Sequence, residues 1–222
     1  MGIAVIIPTL NAEASLAATL QSIAGGEEII VVDGGSQDET VRLARSAGAR
    51  VQGTARGRGQ QMRAGAEMAT QDWLLFLHAD TILAPDWRTH VDAHARSVDA
   101  ADTVGVFRFK LDDAAWQARA LEWLVALRVF VLALPYGDQG LLIHRSLYTA
   151  LGGFRPLPLM EDVDFVRRIG RRRLRTLACA AITSARRWRE DGWLARSARN
   201  IVCLAMFSAG APIDRIARFY GR

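Results

Sequence analysis

The ten residues Glu27–Ser36, "EEIIVVDGGS", decide the fold. Ile29–Val32 is an unbroken β-branched run, the pattern of a strand covered on both faces rather than one. It stops on a carboxylate, Asp33, followed by two glycines and by Ser36, a residue type that caps helices. The segment "QDETVRLARSAGA" then reads as a helix, acidic in its first turn and followed by Gly48, as a helix dipole favours. The same order stands upstream: "IAVIIPTL" (Ile3–Leu10) is a buried strand, Asn11 a cap, and "AEASLAATLQSIA" a helix stopped by Gly25-Gly26. It continues downstream with "RVQGT" as a short strand, "GRGQQMRAGAEMAT" as a glycine-rich entry into a helix, and "DWLLFLHAD" (Asp72–Asp80) as a fourth strand. Strands alternating with helices predict an α/β fold, a mostly parallel sheet flanked by helices.

In such sheets ligands sit beyond the carboxyl ends of the strands. Thr9 with Asn11, Asp33, and His78 with Asp80 all fall at those ends, so three strands deliver polar side chains to one edge. His78 and Asp80 lie two apart on a chain read as extended, which points both side chains the same way.

The back half is less regular. "DTVGVFRFKL" (Asp102–Leu111) reads as a strand with one exposed face, and "AAWQARALEWLVALRVFVLAL" as a long apolar helix whose expected fate is core packing. A loop, a short strand and a helix follow in "YGDQGLLIHRSLYTALGGF". "MEDVDFVRRIGRR" is a helix opening on acidic residues, and "LRTLACAAITSARRW" a strand entering a basic loop. No repeat or low-complexity linker divides the 222 residues, so a single domain is expected.

Composition narrows the class. Half the residues are hydrophobic and 23% are charged, which excludes general disorder. Cys179 and Cys203 sit in apolar runs without metal-ligand or CxxC spacing and read as buried thiols of a reducing compartment, the cytoplasm. The N-terminus reads as a first strand and not a signal peptide. Neither "WLVALRVFVLALP" nor "IVCLAMFSAGAPI" reaches the roughly 20 apolar residues of a spanning helix. Residues 1–154 carry 13 Arg/Lys against 17 Asp/Glu, whereas residues 155–222 carry 15 Arg against 6 Asp/Glu. That basic back half suits an anionic partner, a phosphorylated substrate or a lipid surface at the inner face of the membrane; the plain alternative is a solvated face. No nucleic-acid-binding motif accompanies it.

Several constellations can carry chemistry. Asp33 before Gly34-Gly35 lets a ligand approach the backbone and can accept from a ribose or a base edge, or it can simply satisfy turn amides. Gly57–Met62 fails the dinucleotide pattern, because Met62 stands where the third glycine belongs. It leaves Arg56, Arg58 and Arg63 near a helix N-terminus as an anion cradle or a solvated turn. Asp80 can hold a divalent ion shared with a diphosphate. Glu161-Asp162 is either ordinary dipole complementarity or a general base. Arg187 and Trp188, within "RRWR", pair cations with an aromatic platform suited to a sugar phosphate or a phospholipid.

In order, "IIPTLNAE" (Ile6–Glu13), "VVDGGSQDET" (Val31–Thr40), "LFLHADT" (Leu75–Thr81), "GDQG" (Gly137–Gly140) and "MEDVDF" (Met160–Phe165) resemble the family 2 glycosyltransferases of GT-A fold. The chain looks most like a short bacterial subgroup associated with radical-SAM and selenodomain genes, through Gly57-Arg58, Gln61-Met62, Gly65-Ala66 and His78–Asp80. The resemblance implies a nucleotide-diphosphate sugar donor, a divalent ion (Mn2+ or Mg2+) and inverting transfer of a sugar to an acceptor hydroxyl. It implies a nucleotide-sugar half at about residues 1–112 and an acceptor half at 113–222. Pro8, Thr9, Asn11, Glu13, Asp33 and Gly34 would then line the nucleotide pocket, with Arg58, Gln61, Arg63 and His78 beside them. Asp80 would bind the metal and Asp162, next to Glu161, would be the base. Asp138, Gln139, Arg187 and Trp188 would meet the acceptor, whose expected chemistry is lipid-linked or phosphorylated. His78 stands where the family pattern has its first metal-motif aspartate. Ser184 stands where processive members have glutamine, so transfer of single sugars is expected. The competing readings are a sugar-phosphate nucleotidyltransferase, and a membrane-surface binding protein with an inactive sugar site.

Overall fold

The computed structural model describes residues 1–221. Along the chain run β1 (Ile3–Thr9), α1 (Glu13–Ser22), β2 (Glu28–Asp33), α2 (Thr40–Ser46), β3 (Arg50–Gly53), α3 (Arg58–Met68), β4 (Trp73–Phe76) and β5 (Thr81–Leu83). There follow α4 (Trp87–Ala95), β6 (Val104–Leu111), α5 (Trp116–Leu132), β7 (Leu141–His144), α6 (Arg145–Ala150) and α7 (Glu161–Ile169). β8 (Leu174–Thr183), α8 (Arg186–Asp191), α9 (Trp193–Ser208) and α10 (Ile213–Tyr220) complete it.

One eight-stranded sheet runs β3-β2-β1-β4-β7-β6-β8-β5. The first four strands are parallel, as the alternation of strands and helices predicts. β7 then joins β4 antiparallel, so the sheet is mixed. β5, early in the sequence, closes the far edge against β8, so front and back halves share the sheet. β1 is wholly buried because both its faces are covered. Ala4 and Ile6 pack with Met62, Ala66, Val163 and Val166 of α3 and α7, while Ile3, Val5 and Ile7 pack with Leu16, Leu20 and Ala44 of α1 and α2. Gly65 is needed where α3 lies on β1, since a Cβ there would come within 2.4 Å of Ile6 Cγ2.

Several local expectations are corrected. Neither Asn11 nor Ser36 caps a helix: α1 begins at Glu13, two residues after Asn11, and α2 only at Thr40. The two loops cap each other across the sheet instead. Ala12 N–H donates to Thr40 Oγ1 (2.7 Å), Glu13 N–H to Asp38 Oδ2 (3.1 Å), and Glu39 N–H returns a bond to Glu13 Oε2 (3.0 Å). Long-range partners thus do the work that local capping usually does. His78 and Asp80 are not on extended strand either; β4 ends at Phe76 and Thr81 N–H turns back to His78 O (3.3 Å). The basic segment after β8 is a short helix, α8, not a loop. The largest departure is α5, expected in the core. Trp116, Trp123, Leu124, Leu127, Phe130, Val131 and Leu132 are all exposed.

Among the described residues no helix is long and apolar enough to cross a membrane. Both cysteines are free and buried, and burial pushes the Cys179 thiol up to about 12.

Candidate active site

Beyond the carboxyl end of β4 the chain makes its His78–Thr81 turn, and Ser184 N–H, just past β8, donates to Asp80 O (3.1 Å). That bond brings the turn, the end of β8 and the basic helix α8 together. Gly137 packs against the same turn so closely that a Cβ there would lie 2.6 Å from His78 Nε2. Its N–H donates to Asp162 Oδ2 (3.0 Å). Asp162 lies in the first turn of α7, where the positive end of the helix dipole favours its charge. The result is a cleft continuous with solvent and lined by Arg58, His78, Asp80, Asp138, Asp162, Arg187 and Trp188.

Electrostatics differ from group to group. Glu161 is buried and lies 2.6 Å from Arg58 Nε, so it holds that guanidinium in place rather than lining the cleft itself. Burial works against the charge on Arg58, but Glu161, Asp162 and Asp80 more than offset it and hold the guanidinium protonated. Asp138 behaves oppositely. Burial, reinforced by Asp162 and Asp80, pushes its carboxyl up to about 6 against the pull of Arg128 and Arg58.

The front of the sheet carries a closed network. Asp33 accepts from Gly35 N–H (2.9 Å), Ser36 N–H (2.7 Å), Ser36 Oγ (2.5 Å) and Thr9 Oγ1 (2.9 Å). Four donors use the four lone-pair positions of a carboxylate, so a ligand must displace one of them to bond Asp33. These bonds outweigh burial and hold the Asp33 pKa below its ordinary value. Gln61 is a brace as well, donating from one nitrogen to Thr9 O (2.7 Å) and Val32 O (2.8 Å). It also packs against Gly34, whose N–H donates to Thr9 O (2.9 Å). Pro8 is buried in β1 opposite Val32. Asn11 and Glu13 lie exposed in the mutually capped loops, and Arg63 pairs with Glu67 in the open (3.0 Å). Gln139 is buried and donates to Phe107 O (3.1 Å), bracing β6 rather than facing the cleft.

The cleft itself is not closed. Asp138 Oδ1, Trp188 Nε1 and Arg196 Nε are buried polar atoms there without a hydrogen-bond partner. Native proteins leave few such atoms, and their concentration in one cleft marks a place for a polar ligand. Sequence reading misses Tyr136, Arg196, Asn200 and Tyr220, which also line it. The three last come from α9 and α10, where no local pattern marks them, whereas Tyr136 directly precedes the "GDQG" motif.

Among the described residues no group of three or more His, Cys, Asp and Glu could hold a metal ion unaided. A partly exposed Asp80 in the cleft fits a different arrangement, in which one carboxylate shares the ion with substrate phosphates.

Known proteins similar to this chain identify its family and fold. A PGL/p-HBAD biosynthesis glycosyltransferase of Mycobacterium bovis (strain BCG / Pasteur 1173P2) is 44% identical over 90 residues, covering 36% of this chain and 35% of the relative. The relative from Mycobacterium tuberculosis (strain ATCC 25177 / H37Ra) matches to the same extent, so the matched part spans about a third of each relative's length. Among solved structures, glucosyl-3-phosphoglycerate synthase from Mycobacterium tuberculosis, in complex with Mn2+, UDP and glucosyl-3-phosphoglycerate, has a TM-score of 0.64 at 22% identity over 95% of this chain and 81% of that one. S. aureus TarS 1–349 with UDP-GlcNAc has a TM-score of 0.62 at 17% identity, over 83% of this chain and 58% of that one. These structural likenesses carry the fold, which is that of the GT-A glycosyltransferases. The family model for Glycosyl transferase family 2 matches residues 4–158, more than half of the sequence, and the chain belongs to that family.

Proposed function

We propose that the protein is an inverting glycosyltransferase that moves one sugar from a nucleotide-diphosphate donor to an acceptor hydroxyl. The observation that carries this reading is the convergence of Asp80 and Asp162 in one cleft. Asp162 is fixed there by the Gly137 amide, beside buried donors that lack partners. Asp162 takes the proton from the acceptor hydroxyl as the new oxygen–carbon bond forms at the anomeric carbon. On the opposite face the bond from that carbon to the diphosphate oxygen breaks, and the configuration inverts. Asp80 would hold a divalent ion together with the diphosphate, and that ion would supply charge neutralisation for the leaving group. Arg58, kept charged by Glu161, adds a fixed positive charge at the same place. Pro8, Thr9, Asn11, Glu13, Asp33 and Gly34 shape the nucleotide end, with Gln61 and Arg63 behind them. Asp138, Arg187 and Trp188, with Gln139 as their brace, form the acceptor end.

Trp188 Nε1 and Arg196 Nε can only donate, so the acceptor carries an anionic or strongly accepting group. A phosphorylated or lipid-linked phosphate acceptor fits. Uridine nucleotides are the first donors to test, because both structural neighbours were solved with them. Titration calorimetry with UDP and UDP-sugars, with and without Mn2+, is expected to show binding that requires the ion. Absence of binding by any nucleoside diphosphate would remove the reading, and release of pyrophosphate from a nucleoside triphosphate would replace it with nucleotidyl transfer.

A further inference from the structure

We propose that the outer face of α5 is a docking surface for an anionic lipid bilayer, which sets the mouth of the cleft at the headgroup level. This deepens the proposed function, on which its acceptor side rests, by naming the source of the acceptor. α5 carries Gln117, Arg119, Glu122 and Arg128 off to the sides, but its outward side is a continuous apolar stripe that its own chain leaves uncovered. Ala118 and Val125 pack inward with Phe109, Leu111 and Trp188. Trp116, Trp123 and Phe130, seven residues apart, share the opposite side and are 74%, 64% and 78% exposed. Leu124, Leu127 and Val131 widen the same stripe. A continuous exposed apolar stripe of this size is not ordinary surface and belongs against an apolar surrounding.

What covers it follows from the charge around it. At the C-terminal end of the stripe Arg171 donates to the α5 carbonyls Phe130 O and Val131 O, and Arg172 and Arg173 are exposed beside it. These lie in the segment whose balance is 15 Arg to 6 Asp/Glu, so a second copy would bring like charge to the corner and an anionic bilayer opposite charge. Indole and phenyl rings settle at the boundary of headgroup and acyl chain, with arginines reaching to phosphates. α5 is too short and too closely packed on its inner side to span, so it lies in the surface. The link to the cleft is direct: Arg128 of α5 stacks over Tyr136, 3.5 Å from its ring centroid, and Tyr136 lines the cleft.

Flotation with vesicles of phosphatidylcholine and phosphatidylglycerol tests this against vesicles of phosphatidylcholine alone. The protein is expected to float with the mixed vesicles, less so in high salt, and Trp123→Ser/Phe130→Ser to lower bound protein at least tenfold. Both side chains are exposed, so circular dichroism melting of that variant should be unchanged. Arg172→Glu/Arg173→Glu should reduce binding to the mixed vesicles only, a second arm independent of the apolar stripe. Flotation of the Trp123→Ser/Phe130→Ser variant equal to the wild type overturns the proposal. So does a wild type that ignores both vesicles while forming a dimer, by light scattering, that the variant loses. Nucleotide binding is measured on the same samples: its loss with flotation intact removes the transferase reading and leaves the docking surface standing.

Discussion

The front edge of the sheet and the cleft beyond β4 are built on opposite principles. At the front edge of the sheet, Thr9, Asp33, Ser36 and Gln61 satisfy one another completely, and Asp33 has no lone pair to spare. In the cleft between β4, β8 and α7, Asp138, Trp188 and Arg196 each keep a buried polar atom without a partner. The first region is a finished scaffold whose polar groups are already paired. The second stores unmet hydrogen bonding, and in Asp138 a carboxyl whose ionisation burial resists. The one region holds its shape through its own hydrogen bonds, and the other leaves polar atoms open to a ligand.

Substitutions separate the two. The largest expected effect is on turnover in the cleft. Asp162→Asn and Asp80→Ala are each expected to lower the rate of sugar transfer by about 10²–10⁴-fold, measured as nucleoside diphosphate release. Only Asp80→Ala should also weaken Mn2+-dependent nucleotide binding. Full turnover by Asp162→Asn would end its assignment as the base.

In the scaffold the expected effect is on folding. Asp33→Ala strands donors from Thr9, Gly35 and Ser36 and should cost about 2–3 kcal/mol by urea unfolding at pH 7. Because the folded-state pKa of Asp33 lies below its ordinary value of 3.8, its contribution is present above that value. It fades as pH falls through the folded pKa, and the gap between wild type and variant should close there. A variant as stable as the wild type would show that the network is decorative.

The smallest effect has the opposite sign. The Asp138 carboxyl titrates at about 6 in the fold, above its ordinary 3.8, so the folded state binds the proton more tightly. Stability from this group is greatest below about pH 4, declines towards pH 6 and is flat beyond. Asp138→Asn should therefore raise stability by about 1–3 kcal/mol at pH 7.5 and by little at pH 4, read from thermal melts. A destabilised variant at pH 7.5 would place Asp138 with the scaffold and erase the contrast between the two regions.

Most of the frame was legible because local patterns are strong where both sheet faces are covered. The runs around Val5, Val31 and Leu75 could only be buried strands, and Asp80 and Asp162 stand in short motifs at fixed places. Expectations failed where a distant partner replaced a local one. Asn11 and Ser36 looked like caps, but their loops exchange bonds across the sheet. α5 looked like core, because an apolar helix reads alike whether protein or another apolar phase covers its second side.

By itself, then, the sequence determined the alternation of strands and helices, the polar strand ends and the family, since each is encoded within a dozen neighbouring residues. Only the tertiary structure decided which polar groups are already satisfied, that Arg196, Asn200 and Tyr220 reach the cleft, and that α5 turns its tryptophans outward. Those properties depend on segments up to about 140 residues apart meeting in space, as when Tyr220 and Asp80 line one cleft, and no local pattern records them.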